Sequence, residues 1–160
     1  MKLIINALIL SSLVFSTIAA KSKLYPGQCL HFNDRLKSTN GCFELIMQED
    51  GNLVLYKKSE AIWSSKTYLT CSYKTCYQSD GNLVISNCEK KATWVAGSFA
   101  GGLYTELQDD GNLVIYADNP LRPIWASNTV SSCWIIQWER VPLTFLPSTL
   151  YVAYITHNKN

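Results

Sequence analysis

Charge is scarce in this chain. Only 16% of its 160 residues are Asp, Glu, Lys or Arg, fourteen basic against twelve acidic, for a formal net charge of +2. So even a balance offers a phosphate backbone no electrostatic footing, which excludes nucleic acid as a partner. The scarcity is not that of a disordered chain, which joins high net charge to low hydrophobicity. Here 48% of residues are hydrophobic and 12% aromatic. Histidine is nearly missing: His31 and His157 leave little for a histidine metal site or a general base. No Asn-x-Ser/Thr acceptor for N-glycans occurs. No Gly-x-Ser-x-Gly nucleophile turn occurs either. Glycosidases need carboxylates flanking one bond, whereas Asp109 and Asp110 are neighbours in a turn and diverge. The Asp109–Asn112 run also fails as an EF-hand, because its glycine is misplaced and no glutamate closes it. An enzyme, a metal protein and a cofactor protein are therefore all disfavoured.

The first twenty residues are a different polymer. Lys2 precedes an apolar centre, Leu3–Leu10 and Leu13–Phe15, and small residues follow at Ser16, Thr17, Ala19 and Ala20. A basic start, apolar centre and small-residue end describe a secretory leader, cleaved after Ala19 or Ala20. Its removal takes away Lys2 and leaves 13 basic against 12 acidic residues, a net charge of +1. Secretion would place Cys29, Cys42, Cys71, Cys76, Cys88 and Cys133 where disulfides persist. Cys29 with Cys42 closes a short local loop and is the expected first pair. The other four would then pair among themselves, in an order left open. A zinc site is not supported, since no second pair or histidine follows Cys71 and Cys76 at finger spacing.

An internal repeat organises the remainder. Gln48-Glu49-Asp50-Gly51-Asn52-Leu53-Val54-Leu55-Tyr56 recurs at Gln78–Ser86 and at Gln108–Tyr116, each time 30 residues on. A tryptophan follows each copy, at Trp63, Trp94 and Trp125, spaced by 31. Asp-Gly between alternating hydrophobics signals a hairpin. The register that keeps Gln48 and Asn52 together needs a type I turn with Gly51 left-handed and a bulge. Leu45 then faces Leu55, Ile46 faces Val54 and Met47 faces Leu53. The third copy sets Leu107 against Leu113 and Gln108 against Asn112. One face is apolar, through Leu45, Met47, Leu53 and Leu55. The other gathers Gln48, Asn52, Val54 and Tyr56, with Asp50 beside them. No unit can bury its apolar face alone. Three can close around an axis filled by the tryptophans, giving an all-β, antiparallel prism with pseudo-threefold symmetry.

Asp-Gly-Asn by itself is turn chemistry. A turn does not require Gln, Val and Tyr on the same face, however. A carboxylate that accepts, amides that donate and accept, and a phenol suit a neutral polyhydroxylated ligand. Valine offers its C–H face a contact. Gln-x-Asp-x-Asn-x-Val-x-Tyr, with Trp125-Ala126-Ser127-Asn128-Thr129 after the last copy, resembles the bulb-type mannose-binding lectins first known from monocots. The resemblance covers about Leu24 to Thr129. It implies the β-prism II fold, and partners that are mannose-containing glycans or glycoproteins. It further implies that Asp and Asn hold the 2-hydroxyl, Gln the 3-hydroxyl and Tyr the 4-hydroxyl, with Val against the ring. These roles fall on Gln48, Asp50, Asn52, Val54 and Tyr56, and on Gln108, Asp110, Asn112, Val114 and Tyr116. Ser86 replaces the tyrosine of the middle copy, so Gln78, Asp80, Asn82 and Val84 are expected to make a weak or silent site. One lost hydrogen bond is worth roughly 0.5–1.5 kcal/mol.

The chain thus divides into a leader (1–20), a bulb-type lectin domain (21–132) and a C-terminal extension (133–160). In the extension, Trp134–Trp138 and Leu150–Ile155 read as strands. Leu143–Ile155 is too short and too interrupted to span a membrane. The resemblance implies that a C-terminal strand completes the first sheet or is exchanged with a partner in a homodimer. Trp134–Trp138 is the segment for that role. The expected protein is a secreted, extracellular, metal-independent lectin. A defence or protein-interaction module on the same scaffold, its sugar binding reduced, is the alternative.

Overall fold

A computed structural model describes residues 21–99, 101–141 and 150–157. The expected leader lies outside these residues. No helix occurs among them, and fourteen strands follow one another. The first three are short: β1 (Lys23–Leu24), β2 (Cys29–His31) and β3 (Arg35–Lys37). Each repeat then contributes three. They are β4 (Phe43–Met47), β5 (Leu53–Lys57) and β6 (Glu60–Ser64); β7 (Ser72–Tyr77), β8 (Leu83–Asn87) and β9 (Ala92–Val95); and β10 (Gly102–Leu107), β11 (Leu113–Ala117) and β12 (Arg122–Ala126). The extension forms β13 (Trp134–Val141) and β14 (Leu150–His157).

The prism has three antiparallel four-stranded sheets, ordered β3-β4-β5-β6, β2-β7-β8-β9 and β1-β10-β11-β12. The N-terminal segment therefore lends one outer strand to each sheet, in reverse order of the repeats. Backbone bonds fasten it: Lys37 N–H donates to Lys21 O and Leu107 N–H donates to Ser22 O, both at 2.9 Å. This corrects the expectation that a C-terminal strand completes the first sheet. β3 already holds that edge, and β13 pairs with β14 instead, in register from Trp134↔His157 to Val141↔Leu150.

The hairpin register is the one the alternation demands. Leu45 faces Leu55, Ile46 faces Val54 and Met47 faces Leu53. Leu107 faces Leu113 in the third copy. The turn is the bulged one: Gly51 N–H donates to Gln48 O at 3.0 Å, Gln48 N–H donates to Asn52 O at 2.9 Å, and Gly51 has φ +88°. Leu36, Leu45, Met47, Leu53 and Leu55 are fully buried with Leu83, Ile85, Leu113 and Ile115. The three tryptophans meet edge to face, with ring centroids 5.7, 5.7 and 6.3 Å apart. They are only half-buried and lean on this aliphatic interior rather than filling it. Tryptophan is large enough that full burial is uncommon.

Cysteine pairing corrects the expected local loop. The bridges are Cys29–Cys76, Cys42–Cys133 and Cys71–Cys88. Cys29 on β2 lies directly across from Cys76 on β7, whereas Cys42 leads into β4 of another sheet. For Cys29 the partner is set by the sheet it shares with Cys76, not by closeness in sequence.

Tyr77 is an exception inside this core. It is fully buried, and among the described residues its hydroxyl has no hydrogen-bond partner. Burial, aided by the Asp80 carboxylate, pushes its pKa from 10 up to about 12. The folded state thus favours the neutral phenol. Its contribution is intact below pH 10 and is lost as pH rises through about 12, because the unfolded chain ionises first. Tyr77→Phe removes an unsatisfied buried group, so we expect stability to rise by about 1 kcal/mol at neutral pH. Alkaline unfolding between pH 10 and 12 should be shallower in the variant. Urea titrations across that range measure both effects; a less stable variant with an unchanged pH slope would contradict the assignment.

Candidate functional site

Each hairpin turn carries its aspartate as a turn-closing acceptor. Asp50 Oδ1 accepts from Asn52 N–H at 2.9 Å, and Asp80 and Asp110 do the same for Asn82 and Asn112. The second carboxylate oxygen is left over for a ligand. Asn52 is fixed from the opposite side: its Oδ1 accepts from Ser65 Oγ at 3.1 Å and Thr67 N–H at 3.2 Å. Holding the amide by its oxygen leaves its NH2 as the free donor. Gln48 Nε2 donates to Tyr56 Oη at 2.7 Å, which leaves the Gln48 carbonyl and the Tyr56 O–H. Gln48, Asn52 and Tyr56 are half-buried and Asp50 is exposed. The result is an alternation of acceptor, donor, acceptor and donor on one shallow surface, with no net requirement for a charged ligand.

The third repeat builds the same arrangement. Gln108 Nε2 donates to Tyr116 Oη at 2.8 Å, and Asn112 Oδ1 accepts from Ser127 Oγ at 3.2 Å and Thr129 N–H at 3.3 Å. Val54 and Val114 are each 3% exposed, so they form a sealed floor rather than a projecting contact.

The middle repeat differs in two ways. Ser86 is too short to meet Gln78, which is exposed. Asn82 is 1% exposed, its Oδ1 accepting from Gly97 N–H and Ser98 N–H at 3.0 and 3.2 Å. Only the first difference is legible in the motif. The hydroxyls that fix the asparagines were not singled out by sequence. Their signal is Ser65-x-Thr67 and Ser127-x-Thr129 after the tryptophans, where the middle copy has Ala96-x-Ser98 and so lacks the first hydroxyl.

The ground beside each site is not repeated. Glu44 neighbours Tyr56 across β4 and β5 and bonds Lys37 and Arg35 at 2.9 and 3.0 Å. The hydrogen bond from Lys37, with the positive charges of Lys37 and Arg35, outweighs burial and holds Glu44 below the usual carboxylate range. Lys74 neighbours Ser86, and Tyr104 neighbours Tyr116.

The chain was compared with known proteins. No protein-family model matches it. It is 38% identical over 110 residues to a mannose-specific lectin of Aloe arborescens, covering 66% of this chain and 95% of that one. It is 32% identical over 102 residues to the B-type lectin plumieribetin of Scorpaena plumieri, covering 62% and 88%. Among solved structures, a monomeric monocot mannose-binding lectin from Gastrodia elata superposes with a TM-score of 0.63 at 38% identity, covering 69% of this chain and 99% of that one. The mannose-specific agglutinin of Galanthus nivalis, solved with methyl-α-D-mannoside, superposes with a TM-score of 0.58 at 35% identity, again covering 69% and 99%.

Proposed function

The chain belongs to the bulb-type mannose-binding lectin family, and from that premise we propose that it is a secreted lectin binding mannose-containing glycans through its first and third repeats. The family is one of carbohydrate-binding proteins, not enzymes. The observation that carries the reading is the paired geometry of Gln48–Tyr56 and Gln108–Tyr116, each completed by an aspartate oxygen and an asparagine NH2. Those four groups match hydroxyls without a metal, so binding should be insensitive to EDTA. The middle site is silent on this reading, because it lacks the phenol and buries its asparagine. Secretion is supported by the leader-like first twenty residues and by the use of all six cysteines in disulfides. A shallow site of millimolar strength corresponds to about −4.1 kcal/mol. Clustered glycans would raise that through two sites per chain.

Asp50→Asn and Asp110→Asn test the proposal. Asparagine keeps the oxygen that closes the turn and replaces the free acceptor with a donor. Each single variant should lose about half the binding capacity on a mannose matrix, and the double variant should not be retained, with circular dichroism unchanged in all three. Retention of the double variant, or no retention of the parent, would sink the reading.

A further inference from the structure

The outward faces of the three sheets differ at the end away from the hairpin turns. Starting from the tyrosine position and moving one strand at a time, the first sheet shows Tyr56, Glu44 and Lys37. The third shows Tyr116, then Tyr104, then Tyr25, whose ring lies 6.1 Å from that of Tyr104. The second shows Ser86, Lys74 and His31. Cations on the other two faces are neutralised: Lys37 and Arg35 bond Glu44, and Lys23 Nζ lies 3.4 Å from Glu106 Oε1. Across from Val84 in the second sheet, where the third has Glu106 across from Val114, stands Cys76 in its bridge to Cys29. Among the described residues Lys74 forms no ion pair, and its Nζ lies 5.3 Å from the centre of the Tyr73 ring. Tyr73 is half-buried, and it is the extra residue between the pairs Ser72↔Asn87 and Lys74↔Ser86. The third sheet has Leu103 at that bulge, and the first sheet has no bulge there.

The charge of the repeats divides in the same way. Residues 71–99 carry three lysines against two carboxylates, Asp80 and Glu89. Residues 43–70 carry three lysines against four carboxylates, and residues 101–132 one arginine against four. The middle repeat alone is positive. Its carboxylates are also occupied or distant. Glu89 Oε2 is held by Lys91 at 2.9 Å. Asp80 sits at the turn, and the strand from Asn82 to Ser86 spans about 13 Å, beyond the screening length of about 8 Å for exposed charges at physiological salt. Asp34 is taken up by His31: it accepts from the His31 N–H at 2.9 Å and lies 3.7 Å from the ring Nδ1.

We propose that this end of the second sheet, formed by Ser86, Lys74, Tyr73 and His31, binds an acidic sugar, a pyranose bearing a carboxylate or a sulfate. The Lys74 ammonium meets the anion in a charge-assisted hydrogen bond. The Tyr73 ring gives the apolar C–H face of the sugar a surface, and the Ser86 hydroxyl and the His31 ring nitrogens serve its hydroxyls. An ammonium is a point charge without a preferred plane, so Lys74 suits a planar carboxylate and a tetrahedral sulfate alike. On the other two faces the same anion would meet Glu44 or Glu106. The middle copy thus exchanges a neutral ligand for an anionic one, and its departures from the motif belong to that exchange. The inference does not depend on mannose binding at the first and third repeats.

Asp50→Asn with Asp110→Asn is the background, because it removes the mannose sites proposed above and leaves β2, β7 and β8 unaltered. Nitrogen–proton correlation spectra follow its titration with methyl-β-D-glucuronide, glucose 6-sulfate, methyl-β-D-glucoside and inorganic sulfate. We expect at least one acidic sugar to shift the amides of β7 and β8 and to bind about tenfold more tightly than the neutral glucoside. Which of the two does so tells carboxylate from sulfate. Bare sulfate should bind no better than the glucoside, since it leaves Tyr73 unused. Lys74→Glu should abolish the preference for the acidic sugar, and Lys74→Arg should keep it. Tyr73→Ala should weaken the acidic sugar several-fold and covers the case in which Lys74→Glu does not fold. The proposal is overturned if the glucoside binds as well as both acidic sugars, if bare sulfate matches the sulfated sugar, or if neither Lys74→Glu nor Tyr73→Ala moves the preference. Retention of the parent on a mannose matrix is read separately and is unaffected by any of these results.

Discussion

Cys42→Ala with Cys133→Ala is expected to destabilise the domain by about 4–5 kcal/mol. The bridge joins residues 91 apart in sequence. It links the residue before β4, at the start of the first repeat, to the residue after the third repeat. Chain entropy lost by the unfolded state grows with the logarithm of the closed loop, so this bridge should outrank Cys71–Cys88, separated by 17, by roughly 1.5 kcal/mol. Both Cys42 and Cys133 are also part of the buried cluster, 5% and 2% exposed. Their truncation removes packing as well as the crosslink. Since Cys133 immediately precedes β13, the same bridge fixes where the extension leaves the prism. Denaturant titration of the double variant against the parent measures the loss. A change below 1 kcal/mol would show that the prism closes without this link.

What could be read from sequence was whatever repeats. Two landmarks, Asp-Gly-Asn and tryptophan, recur in register, and hairpin alternation then fixes which residues face the interior. The bulged turn follows from keeping Gln48 beside Asn52, and in that register Gln48, Asn52 and Tyr56 share the half-buried outward face. What could not be read was whatever the three copies do differently. β1, β2 and β3 are two or three residues long, too brief for a periodic signal, and only the assembled sheets give each its partner. Cys29 finds Cys76 because β2 lies on β7, a relation invisible in spacing. The burial of Asn82 depends on Gly97-Ser98, 15 residues on. Tyr25 and Tyr104 are far apart in sequence and become neighbours only when the N-terminal segment lends β1 to the third sheet.

Gly81→Ala is expected to destabilise the domain by about 2–5 kcal/mol, and the reason lies beyond the turn. Gly81 has φ +82°, which disfavours any side chain by roughly 1–2 kcal/mol. A Cβ there would also run into backbone atoms of Gly102, the first residue of β10, with Cα at 2.8 Å and O at 3.3 Å. Backbone cannot rotate aside, so overpacking of about 1–3 kcal/mol adds to the strain. The contact repeats around the prism: Gly51 abuts Ser72, at the start of β7, and Gly111 abuts the Phe43 ring, at the start of β4. Each turn that carries a candidate site is thereby seated on the next sheet. The glycine is demanded twice, once by the left-handed turn and once by the neighbour. Gly101→Ala separates the two demands, since Gly101 has φ +96° but open space around its Cβ position. Thermal unfolding should therefore place Gly101→Ala between the parent and Gly81→Ala. Equal losses in the two variants would mean that strain alone explains the glycine and that the sheets do not lock through their turns.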